Sequence, residues 1–403
     1  MTIFSNKQIL LGVTGSIAAY KAVELASKLT QAGARVDVIL TPAAEKFITP
    51  LTFQSVTGRK AFTDADLWGG EAHVLHVGLA QSADLMVVAP CTANTLAKLA
   101  HGIADSLLTI TTLAARCPLL VAPAMDVGIF TNAATQDNIL ILTERGVYFA
   151  GPAEGRMASG LAGKGRLVEA AELLGHVRFV LGRPGPLAGK KIVVTAGGTQ
   201  EPLDPVRVLT NKSSGKQGYA VAQAALDAGA TVSLVSAPVN LPVPVGAHLI
   251  SAGTAQAMLQ AVLAESAGAD ALVMAAAVAD FRPKQVAANK LKKREGIPQV
   301  ELEAAPDVLA AVAEMGDSRP GVVIGFAAET RDLLENAAAK LKAKKLDMIV
   351  ANDISAADAG FSVDTNRVTL LFADAKEQAL PLMSKDEVAE TIIAHLAMLL
   401  ETK

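Results

Sequence analysis

The sequence predicts an α/β protein made of two Rossmann-like domains, each built on a parallel β-sheet. Short apolar strands alternate with amphipathic helices, and the order strand, turn, helix, glycine, strand occurs near the start and again near the middle. A strand–helix–strand crossover is right-handed and makes its two strands parallel. Residues 181–190, rich in glycine and proline, separate the two occurrences and are typical of a linker. We therefore expect domains at 1–180 and 191–403.

The first domain opens with the apolar strand Gln8–Val13, a turn of glycine and serine, and a helix that ends at Gly33. Gly33 fits the helix C-cap, where a positive φ costs little only for glycine. Further buried strands are predicted at Val36–Leu40, Leu85–Ala89 and Leu119–Ala122.

The second domain repeats this order with the strand Lys191–Ala196 and a helix that ends at Gly229. Its further strands are predicted at Val232–Val235, Ala271–Ala275, Val322–Gly325 and Met348–Ala351. Ligands of open α/β sheets bind beyond the carboxyl ends of the strands. The candidate site residues are therefore those that follow each strand.

The composition excludes several classes of partner. The chain has 403 residues, of which 51% are hydrophobic and 4% aromatic, and its net charge of −3 implies no bulk attraction to nucleic acid. No apolar run reaches the ~18 residues of a membrane span, and the first residues lack the segments of a signal peptide. Cys91 and Cys117 make no disulfide framework. We expect a cytoplasmic protein that binds neither nucleic acid nor membranes.

The polar run 204–218 is the most informative stretch of the chain, since it follows a strand and precedes a helix. Backbone N–H groups are offered there by Ser213, Ser214, Gly215 and Gly218, and ammonium groups by Lys212 and Lys216. Such a helix N-terminus suits phosphate or carboxylate oxygens. The alternative is a solvated polar loop.

Polar groups also follow the strands of the first domain. Gly15 lets the backbone approach a phosphate, and Ser16 can cap the helix or donate to the anion. The turn lacks the G-x-G-x-x-G pattern of dinucleotide folds, so a mononucleotide suits it better. Thr92 and Asn94 could bond the edge of a heteroaromatic ring or cap a helix.

In the second domain, Asp280 follows a strand and is either a helix cap or a ligand to a metal or a sugar hydroxyl. Lys290 lies in a run of charged residues. Such a run is usually a solvent-exposed surface, but its lysines could also bind the phosphates of a nucleotide. Lys340 and Lys344 are four residues apart and could point both ammonium groups at one phosphate.

Several motifs together resemble a known family. The stretches Gly15–Ala18, Ala89–Lys98 and Pro123–Met125 look like those of homo-oligomeric flavin-containing cysteine decarboxylases. With the run 204–218, the chain from about residue 7 to 400 resembles the bifunctional phosphopantothenoylcysteine decarboxylase/phosphopantothenate–cysteine ligases of coenzyme A synthesis. The resemblance implies CTP-dependent joining of L-cysteine to 4'-phosphopantothenate through an acyl cytidylate. FMN-dependent decarboxylation to 4'-phosphopantetheine would follow.

The resemblance assigns roles in the first domain. It places the catalytic histidine at His76, beside FMN, and the substrate at Met125 and Asp126. His73, three residues earlier, could share a helix face with His76, but a metal site would need a third ligand. The residues implied to bind FMN are Gly15, Ser16, Ile17, Thr41, Thr92 and Asn94.

Two positions depart from the family. Asp126 stands where the family has an asparagine that holds the substrate carboxylate, and Ser159 stands where some members have a proton-donating cysteine in a mobile flap. We expect burial beside the substrate to raise the pKa of Asp126, so that its protonated carboxyl can replace the amide. The decarboxylase would then be active. The alternatives are a ligase with a structural FMN-binding first domain, or a binding protein with regulatory function.

The resemblance also assigns the ligase site. It implies that Asn211 holds the acyl cytidylate, that Lys290 is catalytic, and that Asp280 contacts Mg²⁺. The residues implied to bind CTP are Met274, Ala275, Ala276, Asp280, Lys290, Pro306, Asp307, Val308, Leu309, Phe326, Lys340 and Lys344. Lysine and aspartate would serve ATP equally, so the nucleotide rests on the resemblance alone. The family further implies a homo-oligomer with trimeric contacts in the first domain and dimeric contacts in the second.

Overall fold

A computed structural model of the chain describes residues 3–68, 74–293, 297–329, 332–353 and 363–402. The chain divides into two compact units, Met1–Gly182 and Arg183–Lys403. No helix among the described residues is long and apolar enough to cross a membrane.

The first unit is built around one parallel sheet. Its elements are β1 (Gln8–Val13), α1 (Ala19–Gln31), β2 (Arg35–Leu40), α2 (Pro50–Thr57), β3 (Ala61–Phe62), α3 (Leu75–Ser82), β4 (Leu85–Cys91), α4 (Ala93–His101), α5 (Leu107–Ala114), β5 (Leu119–Pro123), α6 (Val127–Phe130), α7 (Ala133–Glu144), β6 (Tyr148–Phe149), β7 (Ala153–Arg156), β8 (Ala162–Arg166) and α8 (Ala170–Gly182). The strand order is β3-β2-β1-β4-β5-β6. Every pairing within it is parallel, as predicted.

Helices cover both faces of this sheet. Leu25 of α1, Phe53 of α2 and Val177 of α8 belong to one buried core. Leu96 of α4 and Leu108 of α5 belong to the other. Because both faces are buried, the strands are apolar without alternation, which is why the sequence shows them so clearly. The antiparallel hairpin β7–β8 forms a separate small sheet.

The second unit has a larger, mixed sheet. Its elements are β9 (Lys191–Ala196), β10 (Gln200–Pro202), β11 (Val208–Thr210), α9 (Lys216–Asp227), β12 (Thr231–Ser236), β13 (Ala247–Ser251), α10 (Ala255–Ser266), β14 (Ala271–Met274), β15 (Phe281–Pro283), β16 (Leu302–Ala304), α11 (Val308–Ala313), β17 (Val322–Glu329), α12 (Leu333–Ala343), β18 (Met348–Asp353), β19 (Thr365–Asn366), β20 (Val368–Phe372), β21 (Glu377–Ala379), β22 (Met383–Ser384) and α13 (Lys385–Glu401). The main strand order is β13-β12-β9-β14-β17-β18-β20-β21.

The predicted parallel sheet is confirmed from β13 to β18. Beyond β18 the sheet continues with β20 and β21, which are antiparallel. The sequence analysis did not predict this edge or the short pairs β10–β11 and β15–β16. These strands are only three residues long, too short to show an alternating pattern.

Glycines fix two turns of the fold. Gly33 and Gly229 have φ values of +99° and +93°, as expected at the ends of α1 and α9. Gly218 has another role: a Cβ there would lie 2.6 Å from the Cβ of Ala196 and 2.7 Å from the carbonyl oxygen of Thr195. The first turn of α9 therefore lies directly against the end of β9.

The stretch predicted as a linker is partly ordered. Helix α8 extends through Gly182, two residues into it. Leu187 is buried, and its N–H donates to the carbonyl of Ala228 at 2.7 Å within the second unit.

Candidate active sites

A cavity of about 880 Å³ lies at the carboxyl edge of the second unit's sheet. It brings together residues that the sequence placed in one site: Asn211, Met274, Ala275, Ala276, Asp280, Pro306, Asp307, Val308, Leu309, Phe326, Lys340 and Lys344. These residues come from separate strands, loops and helices of the unit. Lys290 is absent from the described lining.

One wall of the cavity is the polar run before α9. Gly215, the N-cap, has a φ of +75° and offers no side chain to the first turn of the helix. The Ser213 hydroxyl accepts from the Gly215 N–H at 3.4 Å, which folds the run over the helix end. The predicted helix N-terminus is confirmed. Its amide groups and positive dipole end make this wall suitable for an anion.

Asn211 joins this wall to the loop that follows β14. Its side-chain amide donates to the carbonyls of Ala277 and Val278, both at 3.3 Å. The same loop is held from below by two fully buried threonines. Thr195 Oγ1 accepts from the Ala276 N–H at 3.0 Å, and Thr199 Oγ1 accepts from the Ala279 N–H at 2.9 Å. The loop is therefore fixed before any ligand binds.

Asp307, Lys340 and Lys344, which were expected to bind CTP, also line the cavity. Asp307 caps α11 by accepting from the Ala310 N–H at 2.9 Å and pairs with Lys344 Nζ at 2.5 Å. Burial opposes ionisation of Asp307, but Lys344 and the Ala310 N–H outweigh it and lower its pKa. Lys340 Nζ donates to the carbonyl of Phe326 at 3.0 Å. The two lysines thus have separate partners in this structure instead of a common target.

Asp280 is an exposed carboxylate on the cavity wall. The described residues contain no group of three or more histidine, cysteine, aspartate or glutamate side chains that could hold a metal ion. Mg²⁺ commonly binds through one or two carboxylates together with substrate phosphates. Asp280 fits that mode, in which the metal arrives with the nucleotide.

The segment around Lys290 is fastened to the hairpin β10–β11. The Leu291 N–H donates to Asp204 Oδ2 at 3.1 Å, and Arg207 Nη1 donates to the Leu291 carbonyl at 3.0 Å. Asp204 is 2% exposed, so the polar run begins with a buried anchor that sequence reasoning took for a loop residue. This anchor keeps Lys290 beside the hairpin that carries Asn211.

Four polar lining residues were not predicted from the sequence: Gln217, Asn352, Asn366 and Lys385. Asn352 follows the predicted strand Met348–Ala351, so its position carried a signal. Asn366 belongs to the two-residue strand β19, and Lys385 is the first residue of the 17-residue helix α13; no signal in the sequence marked either of them as a site residue.

In the first unit, the turns after β1 and β4 are tied together by Thr14. Its hydroxyl donates to the Pro90 carbonyl at 2.7 Å and accepts from the Thr92 N–H at 3.0 Å. Thr14 is 1% exposed, and the sequence analysis did not single it out. It places the Gly15–Ser16 turn beside the start of α4.

The residues expected to bind FMN lie in the turns after three neighbouring strands. Gly15, Ser16 and Ile17 follow β1. Thr41 follows β2, where its hydroxyl accepts from the Ala44 N–H at 3.3 Å. Thr92 and Asn94 follow β4, where Thr92 Oγ1 accepts from the Thr95 N–H at 3.4 Å.

These turns fit a flavin mononucleotide. The N-cap residue of α1, Ala18, supplies no side-chain cap, so the first turn of the helix can receive a phosphate. Ile17 and Asn94 are exposed and remain accessible to a ligand.

His76 is the second residue of α3 and is half-buried. Since α3 leads into β4, it runs antiparallel to the strands, and its first turn lies at the carboxyl edge of the sheet. His76 is therefore at the same edge as the predicted FMN residues. His73 lies outside the described residues.

The structure brings into contact Asp126 and Ser159, the two positions that differ from the family motif. Ser159, in the turn of the hairpin β7–β8, donates from Oγ to Asp126 Oδ2 at 2.5 Å. Asp126 also caps α6 by accepting from the Gly128 N–H at 3.0 Å. The Ser159 hydroxyl and this N–H lower the pKa of Asp126. Both neighbours donate hydrogen bonds that favour the carboxylate. The expectation that burial beside the substrate raises the pKa of Asp126 concerns the substrate-bound site and stays a prediction.

The hairpin is also held at its base. The Met125 N–H donates to the Gly165 carbonyl at 2.9 Å. Gly165 has a φ of +155°, and a Cβ there would clash with the Met125 carbonyl oxygen. Only glycine permits this close approach, which keeps the hairpin over the loop that follows β5.

Comparison with known proteins covers both units. Residues 3–181 match a family model described as Flavoprotein, and residues 187–400 match one described as DNA/pantothenate metabolism flavoprotein C-terminal domain. The chain is 46% identical over 398 residues to the coenzyme A biosynthesis bifunctional protein CoaBC of Bacillus subtilis (strain 168), with 98% of both chains covered. It is 43% identical over 402 residues to the protein of that name from Vibrio vulnificus (strain CMCP6), with 99% of this chain and 100% of the relative covered.

Two solved structures are also similar. The C-terminal domain of a CoaBC protein is 41% identical and covers 54% of this chain and 100% of its own, with a TM-score of 0.47. A PPC decarboxylase variant complexed with pantothenoylaminoethenethiol is 34% identical and covers 43% of this chain and 97% of its own, with a TM-score of 0.40. On the sequence matches, which span nearly the whole polypeptide, the chain belongs to the family of coenzyme A biosynthesis bifunctional proteins.

Proposed function

We propose that this chain performs two consecutive steps of coenzyme A biosynthesis. Residues 191–403 join L-cysteine to 4'-phosphopantothenate at the expense of CTP, and residues 1–180 decarboxylate the product with FMN to give 4'-phosphopantetheine. Residues 181–190 link the two. The observation that carries the proposal is the cavity of the second unit, where a helix N-terminus, Asn211 and the expected nucleotide residues line one space.

In the ligase step, the carboxylate of phosphopantothenate attacks the α-phosphate of CTP and pyrophosphate leaves. The amides at the start of α9 and the ammonium of Lys216 receive phosphate oxygens. Lys290, anchored beside the hairpin, supplies positive charge to the acyl cytidylate. Mg²⁺, when bound at Asp280, neutralises further phosphate charge. Such reactions depend on positioning and charge stabilisation more than on covalent chemistry by the protein.

Asn211 positions the mixed anhydride. Its amide nitrogen is engaged with the carbonyls of Ala277 and Val278, so its side chain has one orientation. The nucleotide base lies along Pro306–Leu309 and Phe326, with Lys340 and Lys344 beside it. The preference for CTP rests on the resemblance of these residues to the family motif.

In the decarboxylase step, the start of α1 with Gly15 and Ser16 holds the flavin phosphate, and Thr92 and Asn94 contact the ring edge. FMN, when bound, supplies the electron-accepting chemistry that lets the carboxylate leave. His76 contacts the substrate carboxylate. Ser159 lies where the final proton is delivered, and Asp126 accepts its hydrogen bond.

The chain is further proposed to be a cytoplasmic homo-oligomer, with trimeric contacts in the first unit and dimeric contacts in the second. Its partners are the small-molecule substrates 4'-phosphopantothenate, L-cysteine and CTP.

The test is a coupled assay with phosphopantothenate, cysteine and each nucleotide, which follows pyrophosphate and CO₂ separately. We expect a yellow protein that releases pyrophosphate with CTP, and then CO₂. Pyrophosphate without CO₂ would favour a ligase with a structural flavin domain. Release of neither product would overturn the proposal.

A further inference from the structure

The cavity of the second unit extends beyond the expected nucleotide residues. One end of the cavity is lined by Asp307 and Lys344, next to the helices α11 and α12. Both helices pack into the same hydrophobic core. The cavity also reaches α9 and α13, which pack against each other. Gln217, Asn352, Asn366 and Lys385 line it there. We call these four residues the amide–lysine end of the cavity.

Two carboxamide oxygens at this end have no hydrogen-bond partner within the part of the chain that the structure describes. Asn352 is 8% exposed and Asn366 is 2% exposed, and Oδ1 of each has no hydrogen-bond partner among the described residues. A buried, unsatisfied acceptor costs free energy unless a ligand or solvent donates to it.

The orientation of Asn366 is fixed by its neighbours. Its Nδ2 donates to Gln217 Oε1 at 3.4 Å, and Gln217 Nε2 donates to the carbonyl of Lys385 at 3.1 Å. Gln217 therefore uses both ends of its amide within the protein. The arrangement leaves Asn366 Oδ1 as an acceptor for another molecule.

A lysine lines the same end of the cavity. Lys385 is 6% exposed and is the first residue of α13. Burial and the nearby Lys216 ammonium lower the pKa of Lys385, whereas Lys216 itself pairs with the exposed carboxylate of Asp364 at 2.6 Å. An anion bound at Lys385 would favour its charged form.

Unsatisfied carbonyl oxygens and an ammonium group together suit a ligand that carries both a donor and an anion. A triphosphate has no donor for the two carboxamide oxygens, which would repel it. A zwitterionic amino acid has both groups. We propose that the amide–lysine end binds the cysteine that attacks the acyl cytidylate, with its α-carboxylate on Lys385 and its amino group on Asn352 and Asn366. This inference rests on the proposed ligase function.

The placement suits the chemistry, because Asn211 lines the same cavity. The amine nitrogen forms a bond to the acyl carbon, and the bond from that carbon to the phosphate oxygen breaks. Cytidine monophosphate leaves. The ammonium of the bound cysteine loses one proton before the attack and a second after it, and both pass to solvent. The two asparagine oxygens orient the amine for this attack.

The test compares cysteine with cysteamine, which lacks the α-carboxylate, in full-length wild type and Lys385→Gln. We expect the variant to lose roughly 10- to 100-fold in kcat/KM for cysteine, the value of a hydrogen bond to a charged group. Its kcat/KM for cysteamine stays unchanged. Exchange of pyrophosphate into CTP with phosphopantothenate alone also stays unchanged. Lys342→Gln, on an exposed position of α12, is the matched control.

Equal losses with both thiols would overturn the inference, as would a raised KM for CTP or phosphopantothenate. Asn352→Leu, of similar size, is the second variant. It should raise the KM for cysteine and for cysteamine alike, since both carry the amine, and an unchanged KM for both would count against the proposal. A wild-type protein that releases no pyrophosphate would overturn the ligase function and this inference with it.

Discussion

The two candidate sites differ in how their residues are held. In the second unit, buried Thr195 and Thr199 and the side chain of Asn211 fix the loop that follows β14. In the first unit, Thr14 joins two turns, while Ile17 and Asn94 remain exposed. The ligase site is largely built by the protein's own contacts, whereas the flavin site presents loops to a cofactor. We therefore expect a mutation in one unit to change the activity of that unit and to leave the activity of the other unchanged.

The largest effect is expected from His76→Asn. We expect CO₂ release to fall by about 10²- to 10⁴-fold, the range for loss of a general acid or base. Ligase turnover should be unchanged, since His76 belongs to the first unit. The measurement is CO₂ release from phosphopantothenoylcysteine, with pyrophosphate release as the internal control. Normal CO₂ release would remove His76 from the mechanism.

Asn211→Asp is the reciprocal change in the second unit. It replaces two amide hydrogen bonds with a carboxylate that faces carbonyl oxygens and the acyl cytidylate. We expect ligase turnover to fall by about 10²- to 10³-fold, as for loss of an oriented donor. The far-UV circular dichroism spectrum and CO₂ release should not change. Unchanged turnover with cysteine would show that the site has been misplaced.

Thr195→Val and Thr14→Val test the supports of each site directly. Each change leaves a backbone N–H, of Ala276 or Thr92, without its acceptor. We expect the free energy of unfolding to fall by about 1–3 kcal/mol in each case. Thr195→Val should also lower ligase activity, and Thr14→Val should weaken FMN binding. Urea unfolding measures the effect.

Thr391→Val is the control for that pair, because its hydroxyl is exposed and donates only within α13. An equal loss of stability in the control would mean that the buried threonines are not special supports.

Asp126→Asn tests the charge that faces the substrate carboxylate in the first unit. The lowered pKa keeps Asp126 ionised at neutral pH, where it would repel the substrate carboxylate. We expect the variant to lower the KM for phosphopantothenoylcysteine by about five-fold, the effect of one nearby like charge in water. The stabilising contribution of this carboxylate is present above its unfolded pKa and is lost as the pH falls through the lower folded value. A higher KM in the variant would contradict this account.

The smallest effect is expected from Lys344→Met. Its ion pair with Asp307 is partly exposed, so its loss should cost only about 0.2–1 kcal/mol of stability. The pKa of Asp307 is lowered, so the pair stabilises the fold above the ordinary carboxyl pKa and is lost as the pH falls through the folded pKa. Acid unfolding curves of the variant and wild type should therefore converge at low pH.

Much of the fold could be predicted because its signals are local. The apolar strands β1 and β9 begin and end at the predicted residues, and the start of α9 was visible as a run of serine, glycine and lysine. The residues expected to bind the nucleotide were chosen by their motif, and the structure brings them to one cavity with the exception of Lys290. Local patterns and motifs were sufficient for this part.

The rest depends on contacts between residues far apart in sequence. Ser159 reaches Asp126 across 33 positions, so the charge state of Asp126 could not be judged from its own surroundings in the chain. Thr14 supports Thr92 across 78 positions, and Asn366 meets Gln217 across 149. Such contacts exist only once the sheet has brought its loops to one edge.

The contact of Gln217 with the start of α13 has a consequence for synthesis of the chain. Lys385, which accepts this hydrogen bond and lines the ligase cavity, belongs to the last described helix. A ribosome makes this helix after every other described element, and domains generally fold as units once their sequence has emerged. The flavin-binding unit can therefore fold while the ligase cavity still lacks one wall. A polypeptide truncated before Lys385 would keep the decarboxylase activity of the first unit and lose the ligase activity of the second.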